Sequence, residues 1–133
     1  MSERKKQYSV DLLNRTRLIT KEVFIGDLPL GGENSVRIQS MTTTDTMDTE
    51  GSVAQSIRMI EAGSELVRLT APSKNEAENL QQIKDKIRQK GYSKPLVADI
   101  HFTPNAEEIA SRIEEKVRVN PGDYADKKKF EDI

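Results

Sequence analysis

The chain has 133 residues, 35% of them hydrophobic and 32% charged, a balance that fits one ordinary folded domain and excludes disordered and membrane classes. With 21 Lys plus Arg against 22 Asp plus Glu, the formal charge is -1. No whole-molecule field draws nucleic acid or an anionic membrane, so any anion site must be local. Cysteine is absent, which excludes disulfides, thiolate metal sites and a cysteine nucleophile within these residues.

Residues 1–19 are polar and basic with little periodicity and read as a lead-in without an apolar signal core. No run approaches the roughly 20 apolar residues of a membrane span, so the expected location is cytoplasmic. Lys21 to Ile25 reads as a strand, Gly26-Asp27 as a turn and Leu28 to Gly32 as a second arm, giving a β-hairpin ahead of the main fold. Strand and helix signals then alternate. Strands are expected at Val36 to Met41, Leu66 to Thr70, Leu96 to His101 and Val117 to Asn120. Helices are expected from Thr49 to Ala62, stopped by Gly63, and from Ser73 to Lys90, stopped by Gly91. Ser73 and Glu76 have capping-box spacing, and Ala77, Leu80, Ile83 and Ile87 follow at helical intervals. A third helix opens with Thr103 as N-cap and Pro104 at its first position, with Ala106, Ile109, Ala110 and Ile113 on one stripe.

Repeated strand–helix–strand units imply right-handed parallel crossovers, which leaves an α/β fold that is either doubly wound or part of a (β/α)8 barrel. A whole barrel takes eight strands and about 250 residues. Four strands make half of one, and residues 20–133 are expected to be the amino-terminal half.

Parallel strands covered on both faces are normally apolar throughout, so charges inside these are informative. Alternation puts Val67 and Leu69 on the helix side and Arg68 and Thr70 on the other. The same split gives Asp99 and His101 one face of the third strand, and Arg118 and Asn120 one face of the fourth. If that face is a barrel interior, these residues converge near the carboxyl ends of the strands, where barrel enzymes bind ligands. Two arginines against one aspartate leave positive charge for an anion, and guanidinium groups suit phosphate oxygens. A structural ion-pair network is the competing reading, and a histidine placed like His101 is more often a satisfied core residue or a capping partner near Thr103 than a catalytic acid or base. The run Met41-Thr-Thr-Thr-Asp-Thr46 offers hydroxyls at the same end without being a specific motif. Gly31-Gly32 follows a hairpin arm, so it is not read as a phosphate loop, and Lys127 to Lys129 reads as a solvated run.

Four segments carry a resemblance: Val36-Arg-Ile-Gln-Ser-Met-Thr-Thr-Thr44, Glu61-Ala-Gly-Ser-Glu-Leu-Val-Arg-Leu-Thr70, Pro95-Leu-Val-Ala-Asp-Ile-His-Phe102 and Lys116-Val-Arg-Val-Asn-Pro-Gly122. In this order they resemble the 4-hydroxy-3-methylbut-2-enyl diphosphate synthase family, iron–sulfur oxidoreductases of non-mevalonate isoprenoid biosynthesis, from about Thr20 to the last residue. Thr42 to Glu50 and Tyr124 to Phe130 resemble its longer form, found in plants and some bacteria, which carries an inserted domain.

The resemblance implies a substrate-binding partial TIM barrel and a separate carboxy-terminal domain, absent here, that holds a 4Fe-4S cluster through three cysteines and a glutamate. It implies reductive opening of 2-C-methyl-D-erythritol 2,4-cyclodiphosphate with electrons from ferredoxin or flavodoxin. Carried over, Arg68 and Arg118 hold the diphosphate, Asn120 assists, His101 joins the substrate-binding set and Asp99 is the catalytic candidate near the substrate's polar carbons. No metal ligand is expected in this chain, and without cysteine the chain alone is expected to be inactive. An open sheet edge is expected to drive homodimerisation or domain swapping. The alternative is a noncatalytic phosphate-binding or interaction module on half a barrel; a pterin-binding synthase of similar layout fits the segments less well.

Overall fold

A computed structural model describes residues 13–14, 18–101 and 104–120, the side chain of Pro104 excepted. Most of the lead-in, the expected N-cap at Thr103 and the lysine run at 127–129 lie outside the described residues.

The hairpin forms from β1 (Val23–Ile25) and β2 (Leu28–Leu30), antiparallel, with Ile25 opposite Leu28. Gly26 turns it at φ +59°, a left-handed conformation that glycine adopts without a Cβ penalty. The main sheet has four parallel strands in chain order: β3 (Gln39–Met41), β4 (Leu66–Ala71), β5 (Leu96–Ile100) and β6 (Lys116–Arg118). Between them run α1 (Thr49–Glu61), α2 (Lys74–Gln89) and α3 (Pro104–Ile113).

Sequential order with crossovers of one hand places every helix on one face, which separates a barrel segment from a doubly wound sheet. The core shows that placement. Val67, Leu69 and Ala71 of β4 and Leu96, Ala98 and Ile100 of β5 pack against Val53 of α1, Leu80 and Ile83 of α2 and Ala106 and Ala110 of α3. On the other face Leu66 and Val97 are covered by Ile25, Leu28 and Leu30. The hairpin is therefore a stopper at the amino ends of the strands. The four-stranded sheet is a partial TIM barrel, open rather than closed.

Both outer strands are shorter than expected. Val36 to Ile38 precede β3, and Val119 and Asn120 follow β6. Among the described residues each outer strand has a neighbour on one side only, and its ladder ends where that neighbour stops pairing. The Ile38 carbonyl still accepts from Glu65 and Leu66, while Val36 is 74% exposed.

Glycines close α1 and α2 as expected. Gly63 (φ +110°) donates to Ile60 O and Ser64 to Met59 O; Gly91 (φ +90°) donates to Arg88 O and Tyr92 to Ile87 O. These paired bonds are the Schellman arrangement, which satisfies carbonyls left over at a helix end. The expected capping box does not form: the Ser73 hydroxyl bonds the Glu76 carboxylate and makes no side-chain bond to the helix backbone. Asp48 caps α1 through Gly51 N at 3.1 Å.

At the start of β6 two adjacent glutamates have opposite fates. Glu115 takes Lys84 Nζ at 3.0 Å, Arg88 Nη2 at 2.9 Å and the Leu96 N–H at 3.0 Å. Burial pushes its carboxyl up, but the backbone N–H donors, that of Leu96 first, and the Lys84 ammonium outweigh it and hold it below the ordinary range. Glu114 is 7% exposed and neither carboxyl oxygen has a hydrogen-bond partner. Burial pushes it to about 8, against the pull of Lys84 and Arg88 and with repulsion from Glu115.

Candidate functional site

Strand register builds the site. On the concave face, Met41 of β3 lies beside Arg68 of β4, Arg68 beside Val97 of β5, and Val97 beside Lys116 of β6. One layer nearer the carboxyl ends, Thr70, Asp99 and Arg118 lie side by side. Alternation thus delivers Arg68, Asp99 and Arg118 to one face, as the sequence requires.

Asp99 is the hub. Its side chain is 1% exposed, against 25% for Arg68 and 38% for Arg118. Arg68 Nε donates to Oδ2 at 2.8 Å, and its Nη2 bonds the same oxygen. Arg118 Nη1 donates to Oδ1 at 3.2 Å, and His101 Nε2 lies 3.1 Å from Oδ2. A carboxylate with no cation this far from water would be costly, and one with two is satisfied. Two guanidinium charges against one carboxylate leave the Arg68–Asp99–Arg118 cluster with net positive charge. Each guanidinium has five N–H donors, and Asp99 engages two from Arg68 and one from Arg118. The carboxylate orients both cations, and both keep N–H donors that Asp99 does not engage.

His101 joins the cluster just beyond β5, one residue short of its expected strand position. Asn120 is exposed and lies two residues past the end of β6, beyond the paired part of the strand.

The threonine run sits at the same end, where its hydroxyls and the Thr42 N–H hold the β3–α1 loop together. Thr42 N donates to Arg68 O at 2.9 Å, and Thr46 Oγ1 to Thr70 O at 2.6 Å. Thr44 Oγ1 pairs with Ser52 Oγ at 2.9 Å, and Gln55 Nε2 donates to Thr43 Oγ1 at 2.9 Å. Asn79, buried on α2, donates to Thr46 O at 2.7 Å and to Thr49 Oγ1 at 2.9 Å. The loop is pinned to the strand that carries Arg68, which prearranges the rim of the site.

Sequence reasoning missed Met41 and Lys116 as members of the concave face. The alternation of Lys116 with Arg118 could have shown the second; for Met41 the signal exists only in the pairing register. A cleft of about 480 Å³ lined by Leu30, Gly31, Arg37, Gln39, Leu66 and Lys116 lies at the hairpin end, away from the Arg68–Asp99–Arg118 cluster. It is part of the floor rather than the mouth. Among the described residues no group of three or more His, Asp or Glu could hold a metal ion, and no helix is long and apolar enough to cross a membrane.

Comparison with known proteins bears on the same residues. Three similar proteins are named 4-hydroxy-3-methylbut-2-en-1-yl diphosphate synthase (flavodoxin). That of Parabacteroides distasonis is 59% identical over 105 residues, 79% of this chain and 17% of that protein. That of Bacteroides fragilis is 54% identical over 117 residues, 88% and 19% of the two chains. That of Chlorobaculum tepidum is 45% identical over 123 residues, 92% and 16%. The chain thus spans about a fifth of the length of the curated relatives it matches. The family described as the GcpE TIM-barrel domain matches residues 20–133, a range that takes in the stopper hairpin, all four parallel strands and the charged face together. On that match the chain belongs to the GcpE TIM-barrel family.

Proposed function

We propose that this chain supplies the substrate-binding barrel portion of a 4-hydroxy-3-methylbut-2-enyl diphosphate synthase, cytoplasmic, which reductively opens 2-C-methyl-D-erythritol 2,4-cyclodiphosphate. The observation that carries the reading is the convergence of Arg68 and Arg118 on the buried carboxylate of Asp99, with net positive charge left over. In this reading the two guanidinium groups grip the diphosphate through charge-assisted bonds, and His101 and Asn120 contact the ligand nearby. Asp99 holds both cations in their gripping orientation and is the carboxylate we place at the reacting carbons.

The residues present do not fit an iron–sulfur cluster. A 4Fe-4S group is normally held by cysteine thiolates, and these 133 residues contain none. The cluster and the domain that holds it, fed by flavodoxin or ferredoxin, are therefore assigned to polypeptide outside this sequence, and no step through the cluster is derived. We also propose a homodimer, in which the outer edges of β3 and β6, which have no strand partner among the described residues, are covered.

Calorimetric titration of the chain with inorganic pyrophosphate tests the reading. Arg68→Ala and Arg118→Ala should each weaken binding roughly 10- to 150-fold, the equivalent of about 1.5–3 kcal/mol for a bond to a charged group. Unchanged affinity in both variants returns the arginines to a purely structural role.

A further inference from the structure

We propose that Met41 is a specificity-determining residue of the anion site, packing against the hydrocarbon arm of an organic diphosphate whose phosphates Arg68 and Arg118 hold. The inference rests on the diphosphate reading and goes beyond it by dividing the site into a charged half and an apolar half.

Met41 ends β3 in register with Arg68, so the two side chains stand on the same concave face of adjacent strands. Neighbouring strands are about 4.8 Å apart. The Arg68 guanidinium is turned to Asp99 on β5, so a group held on its free side has Met41 on the neighbouring strand of the same face, on the side away from Asp99. The other apolar residues on this face behave differently: Leu66 and Val97 are 3% and 1% exposed because the hairpin covers them. Met41 lies above the hairpin's reach and is 40% exposed. Its flanks on that face are Arg68 and Thr70, so it is an isolated apolar spot beside a cationic one. A ligand that satisfies both has a compact anionic end and a short hydrocarbon end, which describes an alkyl diphosphate better than inorganic pyrophosphate. Methionine suits the task, because an unbranched thioether adapts to an irregular carbon skeleton.

Two probes separate the halves of the site: inorganic pyrophosphate, which has only the anionic part, and 3-methylbutyl diphosphate, which adds a branched five-carbon arm. The wild-type chain should bind the ester more tightly than pyrophosphate. Met41→Ala and Met41→Gln should each weaken the ester roughly tenfold, the discrimination expected when apolar contact worth about one or two methylenes is lost, and leave pyrophosphate within twofold. Met41→Leu, which conserves volume and apolarity, should keep the preference. Met41→Gln also guards against a merely unstable alanine variant. Equal weakening of both probes, or of neither, overturns the proposal while the diphosphate site stands. If pyrophosphate fails to bind the wild-type chain at all, the diphosphate reading itself falls and takes this inference with it.

Discussion

Replacing Glu114 by glutamine should remove most of the rise in stability that this protein shows as pH falls from 8 to 5. The carboxyl is buried with both oxygens unpartnered and has its folded-state ionisation raised from 4.5 to about 8. Below pH 4.5 it is protonated in both states and contributes no pH dependence. Between 4.5 and 8 the folded protein keeps a proton that the unfolded chain releases, so stability falls as pH rises, by up to 1.36 kcal/mol per unit. Above 8 the penalty levels off at about 5 kcal/mol, an upper bound because interior relaxation and entering water screen a buried charge. From pH 5 to pH 8 the penalty grows by about 3–4 kcal/mol, a large share of the whole stability of a small domain. Urea denaturation of wild type and Glu114→Gln at pH 5, 6.5 and 8 isolates this group, since every other carboxylate is common to both. The gap between the two should widen with pH, in favour of glutamine. Parallel curves would refute the reasoning and show that Lys84, Arg88 or water stabilises the Glu114 carboxylate as well in the folded state as solvent does in the unfolded one.

Gly31→Ala should be far more damaging than Gly63→Ala in thermal melts. A Cβ at Gly31 meets the Lys21 carbonyl at 2.4 Å, whereas one at Gly63 meets nothing within 4 Å and bears only the left-handed backbone strain of about 1–2 kcal/mol. Leu80→Ala should cost about 2–5 kcal/mol in denaturant titrations and leave pyrophosphate affinity unchanged, because Leu80 packs on the helix side of the sheet. Thr46→Val, which removes the 2.6 Å bond to Thr70 O, should cost about 1–3 kcal/mol and be rescued by Thr46→Ser; equal stability of the two variants would remove the loop clamp from the account. Light scattering of the chain should show a dimer at high concentration, and a clean monomer would count against pairing of the outer edges of β3 and β6.

The elements that sequence located were those whose signals are local. Apolar spacing along α2 and the glycines at 63 and 91 act within one or two turns, so α1 and α2 end where expected. Alternation within β4 and β5 likewise put Arg68, Asp99 and His101 together, because side-chain direction in a strand is fixed by the backbone alone. What stayed hidden depended on partners distant in sequence. Val36 to Ile38 have strand composition but no second neighbouring strand among the described residues, and Asn120 lies past the last paired residue of β6. Ser73 and Glu76 have the right spacing, yet the two side chains bond each other instead of the helix backbone. The threonine hydroxyls gave no sign in sequence that Gln55, Ser52 and β4 would occupy them. Isolation of Glu114 is likewise a tertiary property, invisible beside its well-paired neighbour.

The strand order β3-β4-β5-β6 has a consequence for how the chain comes into being. Every strand after the first pairs with the strand made just before it, so none has to wait for a neighbour synthesised later. The stopper hairpin is made earlier still, ready to seal the floor as soon as Leu66 and Val97 arrive. Each pairing still spans a whole helix, the separation that makes parallel sheets slow to form, and of the three clustered charges Arg118 is the last to be synthesised, so Asp99 acquires its second cation only once β6 has been made.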